Sequence, residues 1–223
     1  MNAIRARRVV SKVHYWAGWG LGAVALSWFA SGFFMTLKPI TEVRGNHIAV
    51  EPPPALAGTG YALPELDGVS SVEMIDRLGT AAFLVTGEGG RRVIDARTGD
   101  ELDPPGQADI RAKAESLLKI DSEVTGLTKL HVAPRDYAGP LPVWQVQLSE
   151  PDGTRLYIDA QTGRLVRVRT AHWRAFDVAW RIHILDPAGE RISSWWLTLA
   201  SGLASLFAVS GLVLLWRPRP RRS

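Results

Sequence analysis

The residues of this 223-residue chain best suited to hold a cofactor are its histidines. There are five: His14, His47, His131, His172 and His183. A b-type haem needs two imidazoles on opposite sides of one iron, enclosed by apolar walls. The chain contains no cysteine, which excludes disulfides, iron–sulfur clusters, thiolate haem ligands and covalently attached c-type haem. Histidine is therefore the only strong ligand that the sequence offers to a haem iron.

Four of the histidines flank two long uncharged runs of the sequence. His14 lies at the start of the first run and His47 shortly after it, whereas His172 and His183 precede the second run. A haem held by His183 with His172 or His47 is one prediction. His14 has no histidine partner in the second run and pairs only with another copy or subunit. Alternatively, His14 sits among the lipid headgroups and His183 packs in the turn before the helix, while His131 is structural.

The two uncharged runs predict membrane-spanning helices. They extend from Val13 to Leu37 and from Ile192 to Trp216, and each contains 25 residues. About 20 apolar helical residues cross the hydrocarbon core of a bilayer. The first run is too long for the apolar region of a typical signal peptide, and no convincing cleavage site follows it. We therefore expect an uncleaved anchor.

The distribution of charge predicts the orientation of these helices. Residues 1–12 and 217–223 each carry four basic residues and no acid, whereas all 22 acidic residues lie between them with 18 basic ones. Basic flanks stay on the cytoplasmic side of a membrane. This indicates a multi-pass protein of a bacterial inner membrane, with both termini cytoplasmic and the segment from Lys38 to Arg191 in the periplasm. The high pI comes from the flanks and does not indicate a nucleic-acid partner.

Small residues in both runs predict close helix packing. Gly18 and Gly22 form a GxxxG pattern in the first run, and Ser210-Gly211 lies in the second. Such residues let helix backbones approach closely. We expect contacts at these positions within the chain or between copies in a homo-oligomer.

The segment between the runs contains an internal repeat. Phe83–Gly99 matches Gln147–Gly163 at an offset of 64 residues, and both copies end in Asp-Ala-x-Thr-Gly. Each copy has the pattern of a strand, a tight turn and a return strand. An aspartate at such a turn accepts backbone N–H groups and glycine supplies the positive φ, so Asp95 and Asp159 are interpreted as turn residues rather than catalytic ones.

These patterns predict the organisation of the whole chain. We expect a linker over 38–55, a first α+β unit over 56–105, a second over 106–170 led by a helix from Gln107 to Lys119, and a juxtamembrane segment over 171–191. Each unit should be an antiparallel sheet with a helix on one face. No Ser-His-Asp arrangement, paired carboxylates, HExxH metal signature or phosphate loop is found, so no catalytic residue or metal site is predicted.

The order of the motifs resembles a known family. A histidine opens the aromatic- and glycine-rich stretch His14–Leu21, and the first run ends near Ser31-Gly32. The second run is preceded by the His-x-x-Asp element His183–Asp186 and ends in Ser210-Gly211 before Trp216. The hairpin that ends in Tyr-Ile-Asp-Ala-Gln-Thr-Gly-Arg-Leu resembles a PepSY domain. The two runs look like PepSY-associated transmembrane helices, which makes this chain similar to a short, two-helix member.

The resemblance implies two kinds of function. Larger members are similar to iron-siderophore reductases, which pass electrons through b-type haem held by membrane histidines. It therefore implies a role in electron transfer and iron uptake, with haem b bound by His14, His183, His172 or His47 and walled by Trp180, Trp195 and Trp196. The alternative is a non-enzymatic role, in which the PepSY-like units bind a periplasmic protein such as a protease or receptor, or dock the chain onto a reductase or transporter.

Overall fold

The chain folds into two compact units of different character. The computed structural model describes the backbone of residues 3–53, 60–61, 67–150, 152–186 and 194–215, and side chains outside 3–7, 194–197 and 213–215. A helical unit comprises Met1–Lys38 with Ala175–Ser223, and a sheet unit comprises Pro39–Arg174. The side chains of Trp195 and Trp196, predicted as walls of a haem site, lie outside the described part, as does Trp216.

The helical unit is built on three helices. They are α1 (Ala3–Thr36), α4 (Ala171–His183, of which Ala175 onward belongs to this unit) and α5 (Ser194–Leu215). Within the described residues, α1 is the one helix long and apolar enough to cross a membrane, over Arg8–Thr36. The described apolar stretch of α5, Thr198–Leu212, is shorter. The second predicted span, over 192–216, therefore stays a prediction.

The helices α1 and α5 pack antiparallel against each other. His14 of α1 meets Ser210 of α5, and a Cβ at Gly18 would lie 3.4 Å from the ring of Phe207. This confirms the predicted contacts at Gly18 and Ser210-Gly211. Gly22 takes no part in them, because a Cβ there would meet no atom within 4 Å. The GxxxG pattern therefore contributes one of its two glycines to the contact within the chain.

The sheet unit contains two antiparallel sheets in sequence order. The first sheet has strands β1 (Val69–Arg77), β2 (Thr80–Gly87) and β3 (Gly90–Asp95), and the second has β4 (Val124–Leu130), β5 (Val143–Leu148), β6 (Arg155–Asp159) and β7 (Leu165–Arg169). The repeated segments form the hairpins β2–β3 and β5–β6, as predicted. Two short or medium helices, α2 (Ile40–Val43) and α3 (Gln107–Leu117), complete the unit.

The main core lies between α3 and the second sheet. Ile110, Ala114 and Leu117 recur at helical spacing and are buried against Val146 and Leu156. The backbone N–H of Gly106 donates to the Asp109 carboxylate at 2.9 Å, which fixes the start of α3. Residues 67–106, which hold the first sheet, contain no helix, so the helix expected for the first unit is not found within this described stretch.

The segment after α1, predicted as a linker over 38–55, packs into the core of the second repeat as far as residue 51. Ile48 and Ala49 are buried in the same cluster as α3 and the second sheet. The N–H of Lys119 donates to the carbonyl of Ile48 at 2.8 Å. Gly45 adopts a φ of +79°, and a Cβ there would lie 2.5 Å from Cγ1 of Val168. Three consecutive apolar residues, 48–50, are too few to predict a strand from the sequence. Two of them nevertheless pack in the core.

The two Asp-Ala-x-Thr-Gly segments form the same turn. The carboxylate of Asp95 accepts the N–H groups of the second and third following residues at 2.7 and 3.1 Å, and that of Asp159 accepts the equivalent pair, both at 2.9 Å. The terminal glycines, Gly99 and Gly163, both have positive φ. The backbone N–H groups of Arg97 and Thr98 lower the pKa of Asp95 below its ordinary value. The interpretation of both aspartates as turn residues is confirmed.

Candidate functional site

The first candidate site surrounds His14 at the cytoplasmic half of α1 in the predicted topology. Phe207, Ser210 and Gly211 are spaced three and four residues apart and so share one face of α5. The His14 ring stacks on the Phe207 ring, with centroids 4.3 Å apart and planes within 4°. Its Nδ1 lies 2.6 Å from the Ser210 hydroxyl oxygen, and a Cβ at Gly211 would lie 3.1 Å from its Cε1. The glycine therefore makes room for the imidazole.

The second candidate site has the same construction at the other end of α1. The ring of His183, the last residue of α4, stacks on Trp28 with centroids 5.0 Å apart. Its Nδ1 lies 3.3 Å from the Ser31 hydroxyl oxygen and 3.1 Å from the Trp28 carbonyl oxygen. A Cβ at Gly32 would lie 3.1 Å from its Cε1.

Both sites have the same construction. In the first, the aromatic-x-x-Ser-Gly sequence Phe207–Gly211 of α5 packs against His14 of α1. In the second, Trp28–Gly32 of α1 packs against His183 of α4. Sequence reasoning singled out the histidines as ligands and the Ser-Gly pairs as packing residues, but it did not connect them. The signal was present, because the aromatic residue precedes the serine by three positions in both helices. We call these two sites the His14 cluster and the His183 cluster.

The hydrogen-bond partners favour the same tautomer in both rings. The hydroxyls of Ser31 and Ser210 lie 2.9 and 2.7 Å from the carbonyl oxygens of Trp28 and Phe207, to which each can donate its single hydrogen. A hydroxyl used in this way can only accept from the histidine, and the Trp28 carbonyl beside His183 can only accept as well. Both surroundings therefore suit an Nδ1 that carries the hydrogen. A neutral imidazole in this tautomer has its lone pair on Nε2.

This arrangement fits the way proteins prepare a histidine to bind a metal. A ligating histidine almost always donates its other ring N–H to a carbonyl, carboxylate or similar acceptor, which fixes the tautomer and the ring orientation. The His14 and His183 clusters both supply such an acceptor to Nδ1. The residues present therefore fit a haem iron, which each histidine would hold through Nε2.

The two clusters cannot serve the same iron. His14 and Ser31 are 17 residues apart on α1, which corresponds to a rise of about 26 Å. His172 and His183 lie eleven residues apart on the single helix α4, or about 16 Å of rise, so the predicted pairing of these two at one haem is wrong. A haem bound at either cluster would therefore be held by one of these two histidines only.

The remaining histidines form no further cluster in the described part of the chain. His47 and His131 are exposed in the sheet unit. Among the described residues, no group of three or more His, Asp or Glu side chains is placed to hold a metal ion. His47 and His172 as haem ligands remain predictions.

The sheet unit carries a basic groove that was not predicted from the sequence. It has a volume of about 550 Å³ and runs along β7, an edge strand. Arg44, Arg167 and Arg169 line it, and the Arg169 guanidinium carbon lies 3.8 Å from the centre of the Trp173 ring. The one acid in its lining, Glu51, is paired with a lysine. The groove is therefore suited to an anionic or acidic ligand.

Two stacked tyrosines have raised pKa values that burial and packing explain. The rings of Tyr137 and Tyr157 stack with centroids 4.8 Å apart, and Tyr157 donates to the Asp136 carboxylate at 2.8 Å. Burial, followed by the charge of Asp159, raises the pKa of Tyr137 to about 12. Burial and the hydrogen bond to Asp136 raise that of Tyr157. Both hydroxyls remain protonated donors inside a packed cluster, which does not indicate catalysis.

A family model described as the PepSY-associated TM region matches residues 11–223 of the chain. Neither the curated proteins nor the solved structures give a match.

Proposed function

Because the chain belongs to the PepSY-associated transmembrane family, we propose that it is a haem-binding component of a transmembrane electron-transfer system that supports iron acquisition, such as ferric-siderophore reduction. The observation that carries the proposal is the position of a hydrogen-bonding oxygen beside Nδ1 in both histidine clusters. Each ring has Nδ1 against a helix oxygen, an arrangement in which Nε2 could bind an iron.

In this proposal His14 and His183 each contribute one ligand to a separate b-type haem. The haem supplies a one-electron carrier when bound. The protein fixes the imidazoles: Phe207 and Trp28 cover one face of each ring, while Ser210 and Ser31 hold its hydrogen. The second ligand comes from another copy of this chain or from a partner subunit.

The charge pattern supports the placement of the two sites on opposite sides of a bilayer. With α1 and α5 both spanning, the basic termini lie in the cytoplasm and residues 38–191 lie in the periplasm. The His14 cluster is then near the cytoplasmic surface and the His183 cluster near the periplasmic one. Two haems so placed would offer a route for electrons across the membrane.

The test is the absorption spectrum of the full-length protein, purified in mild detergent after expression with ample haem. We expect a Soret band and reduced α and β bands typical of bis-histidine ligation. His14→Ala and His183→Ala should each remove about half of the bound haem, because each eliminates one of two sites. His131→Ala is the matched control, since its ring is exposed in the sheet unit, and should leave the spectrum unchanged. A protein without a Soret band under these conditions would overturn the proposal.

A second candidate function is an anchored interaction module without haem. The basic groove favours it, because three arginines beside an edge strand suit an acidic segment of a periplasmic protein. This function predicts a colourless protein whose His183→Ala variant still binds its partner. It also predicts that Arg44→Glu with Arg167→Glu weakens the binding of acidic peptides measured by calorimetry, whereas Arg92→Glu, on β3, does not.

A further inference from the structure

The helix α4 exposes apolar side chains that no described residue covers. Between Ala175 and His183, the exposed fractions of Val178, Trp180 and Ile182 are 53%, 46% and 41%. The helix has 13 residues and is therefore about 20 Å long, too short to cross a hydrocarbon core of about 30 Å. Its apolar surface needs an explanation other than a third membrane span.

The contacts of His183 set the depth of this helix within the helical unit. The ring packs on Trp28, Ser31 and Gly32, which lie inside the apolar part of α1 that ends at Thr36. Gly32 is four residues before that end, or about 6 Å of helix rise. The last turn of α4 therefore lies at the depth of the final turn of the membrane-spanning segment.

Two further features of the same region suit a lipid surface. Phe29 and Phe33, which flank the His183 cluster on α1, are 66% and 69% exposed and form the lipid-facing surface of that helix in a bilayer. The charged residues of the last turns of α4, Asp177 and Arg181, are four positions apart and form an ion pair. This pairing lowers the cost of holding the helix close to hydrocarbon.

We propose that the segment Ala175–His183 of α4 is an interfacial helix, with Val178, Trp180 and Ile182 inserted among the lipids of one leaflet. Tryptophan is enriched at this level of the bilayer because its ring is apolar and its N–H is polar. Val178 and Ile182, four positions apart, share one side of α4, whereas Trp180, two positions from each, lies on the opposite side. Between the two sides lie Ala179, which is buried, and His183, which packs on α1. The occupant of both sides is lipid rather than a second copy of the chain, since the neighbouring surface of α1 is itself lipid-facing. The proposal is independent of haem binding.

The absence of cysteine makes a depth measurement direct. Single cysteines are introduced in the full chain at Val178 and Ile182, spin-labelled, and reconstituted into bilayers of phosphatidylcholine and phosphatidylglycerol. Collision rates of the label with oxygen, which partitions into lipid, and with a polar nickel chelate are then compared. Leu26→Cys, in the middle of the α1 span, is the lipid reference. Ser70→Cys, at an exposed position of β1 where the pairing with β2 is irregular, is almost isosteric and is the water reference.

We expect the labels at Val178 and Ile182 to collide with the nickel chelate several-fold less often than the label at Ser70, and with oxygen more often. Nickel collision rates equal to those at Ser70 would place the face in water and overturn the proposal. Low rates with both reagents would indicate cover by protein and would also overturn it.

A second measurement does not depend on the labelled variants. Tryptophan fluorescence of the wild-type chain in bilayers with bromine on the upper acyl chain is compared with that of Trp180→Phe. Bromine quenches only rings that contact lipid, so the quenched intensity should be smaller in the variant. An unchanged quenched intensity would show that Trp180 is outside the lipid.

Discussion

His14 and Ser210, which are 196 residues apart in sequence, share a hydrogen bond of 2.6 Å between Nδ1 of the imidazole and the hydroxyl oxygen. This bond joins α1 to α5. Substitution Ser210→Ala removes the bond and should destabilise the helix pair by about 0.6 kcal/mol, with an upper range near 1.7 kcal/mol. Thermal unfolding in detergent measures the change.

The control for this prediction is Ser205→Ala. Its hydroxyl donates to the carbonyl of Ser201 within α5 and contacts no other helix. It should leave the unfolding temperature almost unchanged. If both variants behave alike, the bond between His14 and Ser210 contributes nothing to helix packing.

Glycines of α5 should differ in their tolerance of alanine. A methyl group at Gly211 would lie 3.1 Å from Cε1 of His14 and push the ring away, whereas one at Gly202 would meet no atom within 4 Å. Alanine is favoured over glycine in a helix by about 0.5–1 kcal/mol. Gly202→Ala should therefore be neutral or stabilising, while Gly211→Ala should lower the unfolding temperature. Equal effects would contradict the packing at the His14 cluster.

An ion pair holds the two repeats of the sheet unit together. Arg91 of the first repeat and Asp159 of the second approach to 2.8 Å, and the Asp159 side chain is 3% exposed. Arg91→Ala leaves this carboxylate buried without a cation and should cost about 3 kcal/mol in the free energy of unfolding. Arg92→Ala removes an exposed pair with Glu101 at 3.9 Å and should cost less than about 1 kcal/mol.

Urea unfolding of the full chain, followed by hydrogen exchange, distinguishes the two variants. Exchange in Arg91→Ala should rise first along β1–β3. Equal stabilities for Arg91→Ala and Arg92→Ala would show that the repeats are held by other contacts.

The sheet unit should lose stability at strongly alkaline pH because of Tyr137. Burial raises its pKa to about 12 in the folded protein, against about 10 for an unperturbed tyrosine. The folded state therefore binds the proton more tightly than the unfolded state. The resulting stability is fully present below pH 10 and is lost as the pH rises through about 12.

Tyrosinate absorbance and thermal unfolding as a function of pH test this together. Tyr137→Phe should reduce the late-titrating absorbance, to which Tyr157 also contributes, and should flatten the stability profile between about pH 10 and 12. Titration of all tyrosines near the unperturbed value would contradict the assignment.

The features that the sequence predicted are those with local causes. The Asp-Ala-x-Thr-Gly turns follow from side chains that bind backbone groups two and three residues ahead, so Asp95 and Asp159 were identified without tertiary information. The start of α3 and its buried face follow from the same kind of short-range pattern.

The features that the sequence did not predict depend on distant pairings. His183 contacts Ser31 across 152 residues, and no local pattern in either segment indicates that the two are paired. Ile48 and Ala49 are too short an apolar run to indicate a core segment, and their burial is visible only once Leu118 is placed beside them. The sequence signal of the two histidine clusters is an aromatic-x-x-Ser-Gly motif that occurs in both helices. A search for repeats of this motif would have found the helix side of each cluster.

The position of Ile48 and Ala49 in the core of the second repeat has a consequence for biosynthesis. Their partner Val168 is made 119 residues after Ala49, and the whole first repeat is translated between them. At 5–20 residues per second, the ribosome needs on the order of ten seconds to synthesise the chain from Ala49 to Val168. During that interval Ile48 and Ala49 lack the partners that cover them in the finished fold, so the core of the second repeat closes only after the first repeat has been made.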